Sequence, residues 1–308
     1  MITEISVGSK TFLVGEYAAL LKSPCILLNT TPRFSLELRH KHNEFIAHHD
    51  NFNSITPAGK FLHIHYKDFE HDDIQFFDPH YGRGGFGASS AQFALLYLAQ
   101  KYKNKSLLSS TKDKNNLEEI SGIIEAYQQY AWNGLGSKPS GADVISQLHG
   151  HICYIDFAKG KTETFDWPFE QLDFFLVHTN NKLATHEHLK FVKSIDCEPL
   201  NSITAHAYQA FKLNDPYLLI DSINAYSMAL EKQGYVVANT QKILTELKKQ
   251  DIILAAKGCG ALGADVLLIV YAIEKQSQVK NWLNLRGFNI MASKKDITSG
   301  YNIIEDHV

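Results

Sequence analysis

The chain has 308 residues, 44% hydrophobic and 20% charged, with a formal net charge of −3. That balance fits a soluble globular protein with room for two domains, and it lacks the basic field that nucleic-acid binding needs. Cys25, Cys153, Cys197 and Cys259 are scattered without C-x-x-C spacing, so neither a zinc framework nor a disulfide framework is expected and a reducing cytoplasm is the simplest setting.

Met1-Ile2-Thr3-Glu4 has no basic stretch leading into an apolar one, so no signal peptide is expected. No apolar run approaches the ~18 residues that a membrane span needs. Residues 5–15 read as a strand ending at Gly15-Glu16-Tyr17. Residues 24–30 read as a second strand and Phe34-Ser35-Leu36-Glu37-Leu38, by alternation, as a third. Strands are expected to continue to about residue 77. Within them His63 and His65 alternate with Leu62 and Ile64, as one polar strand face would. His40, His42, His48 and His49 fall in an early polar stretch. A metal site at the His63 and His65 pair is disfavoured, because no carboxylate or further histidine keeps ligand spacing with it.

Next comes Gly82-Arg83-Gly84-Gly85-Phe86-Gly87-Ala88-Ser89-Ser90, followed by a helix-forming run to about Tyr102. The glycines let the backbone turn tightly, and Ser89 or Ser90 can cap the helix. The free N–H groups and positive dipole end of such a helix suit an anion. The loop is neither a Walker A loop nor a dinucleotide fingerprint, and a plain turn before a helix is the bland alternative. Residues 103–116 read as a polar surface loop, and Leu117 to Trp132 as a helix with Ile120, Ile123, Ile124 and Tyr127 on one face. A turn-rich loop, 133–143, ends at Asp143 and a short helix. Residues 152–157 form a strand, and 158–171 a hairpin and connection.

The domain boundary is expected in that connection, giving units 1–168 and 169–308. The second half opens with a strand over 174–179 and a polar turn over 180–185. Helical segments run to about Lys249, followed by a further glycine-bearing loop over 257–265. A strongly apolar strand (266–271), a helix (274–286) and two closing strands (288–292 and 301–305) complete it. Strands and helices intermix without strict βαβ alternation, which argues for an α+β fold rather than a Rossmann sheet.

Three glycine-bearing loops thus stand in order after Lys10-Thr11-Phe12-Leu13-Val14-Gly15-Glu16-Tyr17. Together, these stretches resemble the motifs of the GHMP kinase superfamily. Gly85-Phe86-Gly87-Ala88-Ser89-Ser90-Ala91 is similar to its phosphate loop, Pro139-Ser140-Gly141-Ala142-Asp143 to its catalytic loop, and Lys257-Gly258-Cys259-Gly260-Ala261-Leu262-Gly263-Ala264-Asp265 to its third motif. The resemblance covers about residues 5–305. It implies a two-domain α+β fold, with an N-terminal unit like ribosomal protein S5 and a ferredoxin-like C-terminal unit.

The resemblance also implies ATP and Mg²⁺ as cofactors. Gly84, Gly85, Gly87, Ala88, Ser89 and Ser90 would wrap the phosphates, with Ser89 on the metal. Asp143 would be the catalytic base and Lys10 its charged neighbour; the bland readings are an N-cap aspartate and a solvated lysine. Glu16, Tyr17, Arg83, Ser140, Lys182, Gly260 and Ala261 would face the acceptor. Two departures stand out. Leu262 and Ala264 replace glycines usual in the third motif. The magnesium-binding glutamate of mevalonate kinases is missing from its usual spacing, which leaves Glu125, or Ser89 and the phosphates alone, to hold the metal.

Gly15-Glu16-Tyr17, Arg83 and Asp265 lean towards phosphomevalonate as acceptor, whereas Pro139-Ser140-Gly141 and the short chain lean towards mevalonate. Phosphomevalonate is slightly preferred, and both are small anionic acids. A non-catalytic nucleotide-binding homologue is the alternative from another class, and a mevalonate diphosphate decarboxylase-like enzyme is a further one. No nucleic-acid or membrane partner is expected, and a homodimer is left open.

Overall fold

A computed structural model describes residues 2–40, 52–104, 117–179 and 195–306. Two antiparallel sheets carry the chain. The first has the order β10-β1-β2-β4-β5, with β3 also paired to β2; these are β1 (Ile2–Val14), β2 (Cys25–His40), β3 (Asp72–Phe77), β4 (Ile152–Asp156), β5 (Lys161–Phe165) and β10 (Asn302–Asp306). The second has the order β7-β8-β6-β9, from β6 (Leu172–His178), β7 (Ala255–Cys259), β8 (Val266–Ala272) and β9 (Asn289–Ser293).

The helices between these strands are α1 (Pro57–Ile64), α2 (Tyr66–Phe69), α3 (Ala88–Lys103), α4 (Leu117–Ala131), α5 (Ala142–His149), α6 (Cys197–Leu213), α7 (Pro216–Lys232), α8 (Ala238–Lys248) and α9 (Gln276–Asn284). None of the described helices is long and apolar enough to cross a membrane.

One apolar core runs through both sheets. It takes Ile5, Val7, Leu28, Phe34 and Leu36 from the first sheet and Phe174, Leu176, Leu268 and Val270 from the second. On the other face of the first sheet, Cys25, Leu27, Cys153 and Ile155 pack against Ala142 and Ile145 of α5. That patch is what fixes α5, and hence Asp143, over the ends of β1 and β2.

Several local expectations are corrected. The two strands expected over 24–38 are one continuous strand, β2, which pairs β1 along nearly its whole length from Ile2↔Arg39 to Val14↔Ile26. Residues 57–69 are helical rather than extended. Thr56 caps α1 by accepting a hydrogen bond from the Gly59 N–H at 3.1 Å, and Pro57 occupies the first turn. Ala58, Phe61 and Leu62 turn inward with a helical period while His63 is exposed, so the alternation around His63 is a coincidence of a short window.

The third glycine stretch is partly strand: Lys257, Gly258 and Cys259 belong to β7. The closing strand β10 returns to the first sheet, pairing β1 from Ile2↔Asp306 to Ser6↔Asn302. Arg33 secures the return by donating to Ser6 O, Gly300 O and Ser299 O at 2.8, 2.6 and 2.9 Å. The loop expected over 103–116 lies almost wholly outside the described residues, and His42, His48, His49 and the whole turn over 180–185, with Lys182, lie outside them entirely.

Candidate active site

The glycine loop packs between Lys10 of β1 and Asp265 and Val266 at the start of β8. The Lys10 N–H donates to Phe86 O at 2.9 Å, tying the strand that carries Lys10 to the loop. Gly87 then begins α3 in the left-handed region, with φ 86°. A Cβ there would sit 2.7 Å from Lys10 Cγ, so the position needs glycine for space as well as for conformation. At Gly85, φ is 90° and a Cβ would meet Asp265 Cβ at 2.8 Å. The loop therefore lies directly against the third motif.

The N-cap of α3 is Gly87, which has no side chain to cap the helix. The expectation that Ser89 or Ser90 caps it is corrected, because both lie inside the helix, which starts at Ala88. Ser90 is buried, and its hydroxyl donates back to Gly87 O at 2.9 Å. Ser89 is exposed. The first-turn amides of Ala88, Ser89 and Ser90 thus have no side-chain cap, the condition that favours an anion there.

Lys10 Nζ lies 3.1 Å from Asp143 Oδ2, with side chains 11% and 34% exposed. Asp143 reaches this place because α5 starts one residue earlier, from the left-handed Gly141. The preceding loop is held on both sides. Gln128 of α4 donates to Pro139 O at 2.8 Å, and Ser140 Oγ accepts from the Ala142 N–H at 3.2 Å. Burial pushes the Tyr127 hydroxyl up from its ordinary value, and the Asp143 charge adds to the effect, placing Tyr127 near the pair. Burial also pushes the Cys25 thiol well up, with Cys153, Asp143 and Glu16 contributing, so it stays a neutral floor beneath the site.

Glu16 and Tyr17, expected at the acceptor, are placed otherwise. Glu16 is buried and ion-paired with Lys257, which is fully enclosed. Burial raises the Glu16 carboxyl, and the Lys257 ammonium offsets this in part. Tyr226 OH donates to Glu16 O at 2.8 Å. The Tyr17 hydroxyl accepts from the Leu262 N–H at 2.7 Å, and its ring lies 4.7 Å from that of Tyr235. Both residues thus brace the third motif from behind.

Gly260 approaches Asp265, whose Oδ2 would lie 2.8 Å from a Cβ at that glycine. Ala261 opens the short turn 261–263, and Leu262 adopts a left-handed φ of 51°, where the usual glycine would be unstrained. Arg83 is exposed beside the loop, with its N–H donating to His80 O at 3.1 Å.

Among the described residues no group of three histidines, cysteines or carboxylates could hold a metal. Glu125 is exposed on α4. These residues would fit a magnesium ion only if phosphate oxygens and water supplied most of its ligands.

Gln147 is a site residue that the sequence reading misses. It is fully buried and donates to Gly8 O at 3.1 Å and Gly87 O at 3.2 Å, bridging β1 and the glycine loop. Its spacing, four residues after Asp143, places it one helical turn along the same face and is the available signal.

No protein-family model matches the chain, and no curated protein matches it in sequence. Solved structures do match. The mevalonate kinase of Methanococcus jannaschii is 16% identical with a TM-score of 0.69, over 97% of this chain and 98% of that one. The phosphomevalonate kinase of Streptococcus pneumoniae, in complex with phosphomevalonate and AMPPNP, is 14% identical with a TM-score of 0.71, over 94% and 98%. The galactokinase of Lactococcus lactis, complexed with galactose, is 12% identical with a TM-score of 0.71, over 98% and 95%. The chain shares the α+β fold of these three kinases over 94–98% of its length.

Proposed function

We propose that this chain is an ATP-dependent small-molecule kinase that acts in the cytoplasm, with 1–168 and 169–308 as its two units. The observation that carries the reading is the Lys10–Asp143 pair at 3.1 Å beside the uncapped start of α3. Phosphoryl transfer asks a protein mainly for positioning and for charge matched to the phosphates. The first-turn amides of α3 and the loop glycines supply backbone donors for the phosphates of ATP. Asp143 accepts the proton of the acceptor hydroxyl. Lys10, 3.1 Å from Asp143, faces the negative charge of the moving phosphoryl group. Ser89 would be the protein contact for a Mg²⁺ ion carried on the nucleotide, and that ion would supply positive charge against the phosphates.

For the acceptor we favour a small anionic acid of the mevalonate pathway, phosphomevalonate ahead of mevalonate. Arg83, exposed beside the loop, is a candidate phosphate clamp. Lys182 is proposed for the same role on sequence grounds. Ser140, Gly260 and Ala261 are kept as acceptor-side candidates, while Glu16 and Tyr17 are reassigned to support of the third motif.

The test is Mg²⁺-dependent ADP release with phosphomevalonate, mevalonate, homoserine and galactose in parallel. Turnover confined to phosphomevalonate supports the clamp, turnover on mevalonate alone demotes Arg83, and turnover on galactose alone overturns the acidic-acceptor reading. Glu125 is assigned no metal role, so Glu125→Gln should leave the Mg²⁺ dependence of turnover unchanged.

A second reading is a non-catalytic nucleotide-binding protein, favoured by the exposure of Glu125 and the strained Leu262. Nucleotide binding by calorimetry with no turnover on any acceptor would establish it.

A further inference from the structure

Between the strand that carries Lys10 and the loop that carries the proposed phosphate donors lies one buried imidazole. His80 is 1% exposed. Its Nε2 lies 2.6 Å from Ser9 Oγ, and the Ser9 hydroxyl donates to Pro32 O at 2.7 Å. A serine hydroxyl has one hydrogen, and here Pro32 takes it. The Nε2 atom must therefore carry the proton and donate to Ser9, which leaves Nδ1 as a bare acceptor. No described group donates to that Nδ1. A buried N–H there would be costly to leave unmade, so the enclosure itself selects the neutral Nε2–H tautomer.

The ring's face has its own partner. It stacks on Phe86 with centroids 4.1 Å apart and planes 12° from parallel, and Phe34 closes one side at 5.5 Å. Phe86 is the residue whose carbonyl receives the Lys10 N–H, and Gly87 follows it. Asp78 fixes the backbone of this turn by accepting from the His80 N–H and the Gly82 N–H, each at 2.8 Å. Ser9 precedes Lys10 in β1, so a single side chain touches the immediate neighbour of Lys10 with its edge and the immediate neighbour of Gly87 with its face.

We infer that His80 is a positioning residue of the active site: as a neutral Nε2–H imidazole it holds the Lys10 strand and the phosphate loop in register. It contacts no reacting atom and acts through Ser9 and Phe86. The groups around it are consistent with a ring that stays neutral: burial lowers its pKa to about 4, Arg83 and His178 act in the same direction, and Asp78 opposes them. The assignment rests on the kinase reading for its consequence, but not for its geometry.

Two measurements separate these parts. Nitrogen NMR of the histidine-labelled full chain, without substrate, should show His80 protonated at Nε2 and unprotonated at Nδ1 from pH 8 down to about pH 5. A ring protonated at Nδ1, or one exchanging between tautomers, overturns the proposal whatever the enzyme's substrate.

Kinetics then use His80→Phe, which keeps the stacked face, and His80→Gln, which keeps a donor for Ser9. Each should raise the KM for ATP and lower kcat by about tenfold, in keeping with loss of one buried contact. His80→Ala should lose more than either, with circular dichroism unchanged in all three. Wild-type kcat and KM in folded His80→Phe and His80→Gln would overturn the positioning role. If the wild-type chain turns over no acceptor, the same variants are compared for AMPPNP affinity, and unchanged affinity in both counts equally against it.

Discussion

Two lysine–carboxylate pairs in this molecule have the same chemistry and opposite settings. Lys10–Asp143 is partly open to water, with its side chains 11% and 34% exposed. Lys257–Glu16 lies behind the third motif, 1% and 7% exposed. A pair with one partner open to water contributes less to stability than a sealed one, because water and salt compete for it. Such a pair is free to exchange partners when a substrate arrives. The enclosed pair has no such freedom, since neither charge can find water if the other leaves. Sequence motifs mark all four residues alike, and burial alone separates a pair that can do chemistry from one that holds the wall.

The comparison breaks first at Asp143. Asp143→Asn should lower turnover by about 10²- to 10⁴-fold, the range for a lost general base, while the melting temperature stays near that of the wild type. Wild-type turnover would remove Asp143 from the chemistry. Lys257→Met should act the other way round. It strands the Glu16 charge, at a cost of about 3–5 kcal/mol in urea unfolding. The double variant with Glu16→Leu should recover most of that loss. A small cost for the single variant would show that the enclosed pair is no clamp.

Gly87→Ala tests whether the partly open pair depends on its backing. A non-glycine residue in the left-handed region costs about 1–2 kcal/mol, and the new methyl would also displace the Lys10 stem. Stability and turnover should therefore fall together, and a loss of stability with full turnover would unlink the loop from Lys10.

A further effect is a pH dependence. His80 has a folded pKa of about 4 against 6.5 for the ordinary imidazole. A depressed base leaves the unfolded chain holding more protons in that window. Its contribution is fully present above pH 6.5 and is lost as pH falls towards 4. The difference in unfolding free energy between about pH 7 and about pH 4.5 should shrink in His80→Phe; an unchanged difference would mean that His80 titrates normally.

The glycine loop and the turn that ends at Asp143 are legible in the chain because their backbone needs are local, tight turns and helix starts, whereas Lys10 and the role of Asp143 come only from the resemblance to the GHMP kinases. The alternation around His63 misleads, because so short a window does not distinguish a strand face from the turn of a short helix whose cap lies upstream. Glu16 and Tyr17 mislead for a different reason. Their motif is real, but the side chains point at Lys257 and at the Leu262 N–H, partners 241 and 245 residues away in sequence. His80 escapes a reading of the sequence because its partners are a serine and a ring face, which leave no pattern along the chain, and Gln147, bonded to backbone carbonyls, leaves only its spacing from Asp143.

The sequence by itself determined the order of most strands and helices to within a few residues, the α+β class and the three glycine-bearing turns. These follow from periodicity and from backbone conformations that few residues tolerate. Only the tertiary structure decided that β10 closes the first sheet beside β1, that Ser90 turns inward while Ser89 faces out, and that one ion pair is sealed and the other open. Those outcomes depend on which surfaces exclude water, and water is excluded by the packing of distant segments rather than by any single stretch of chain.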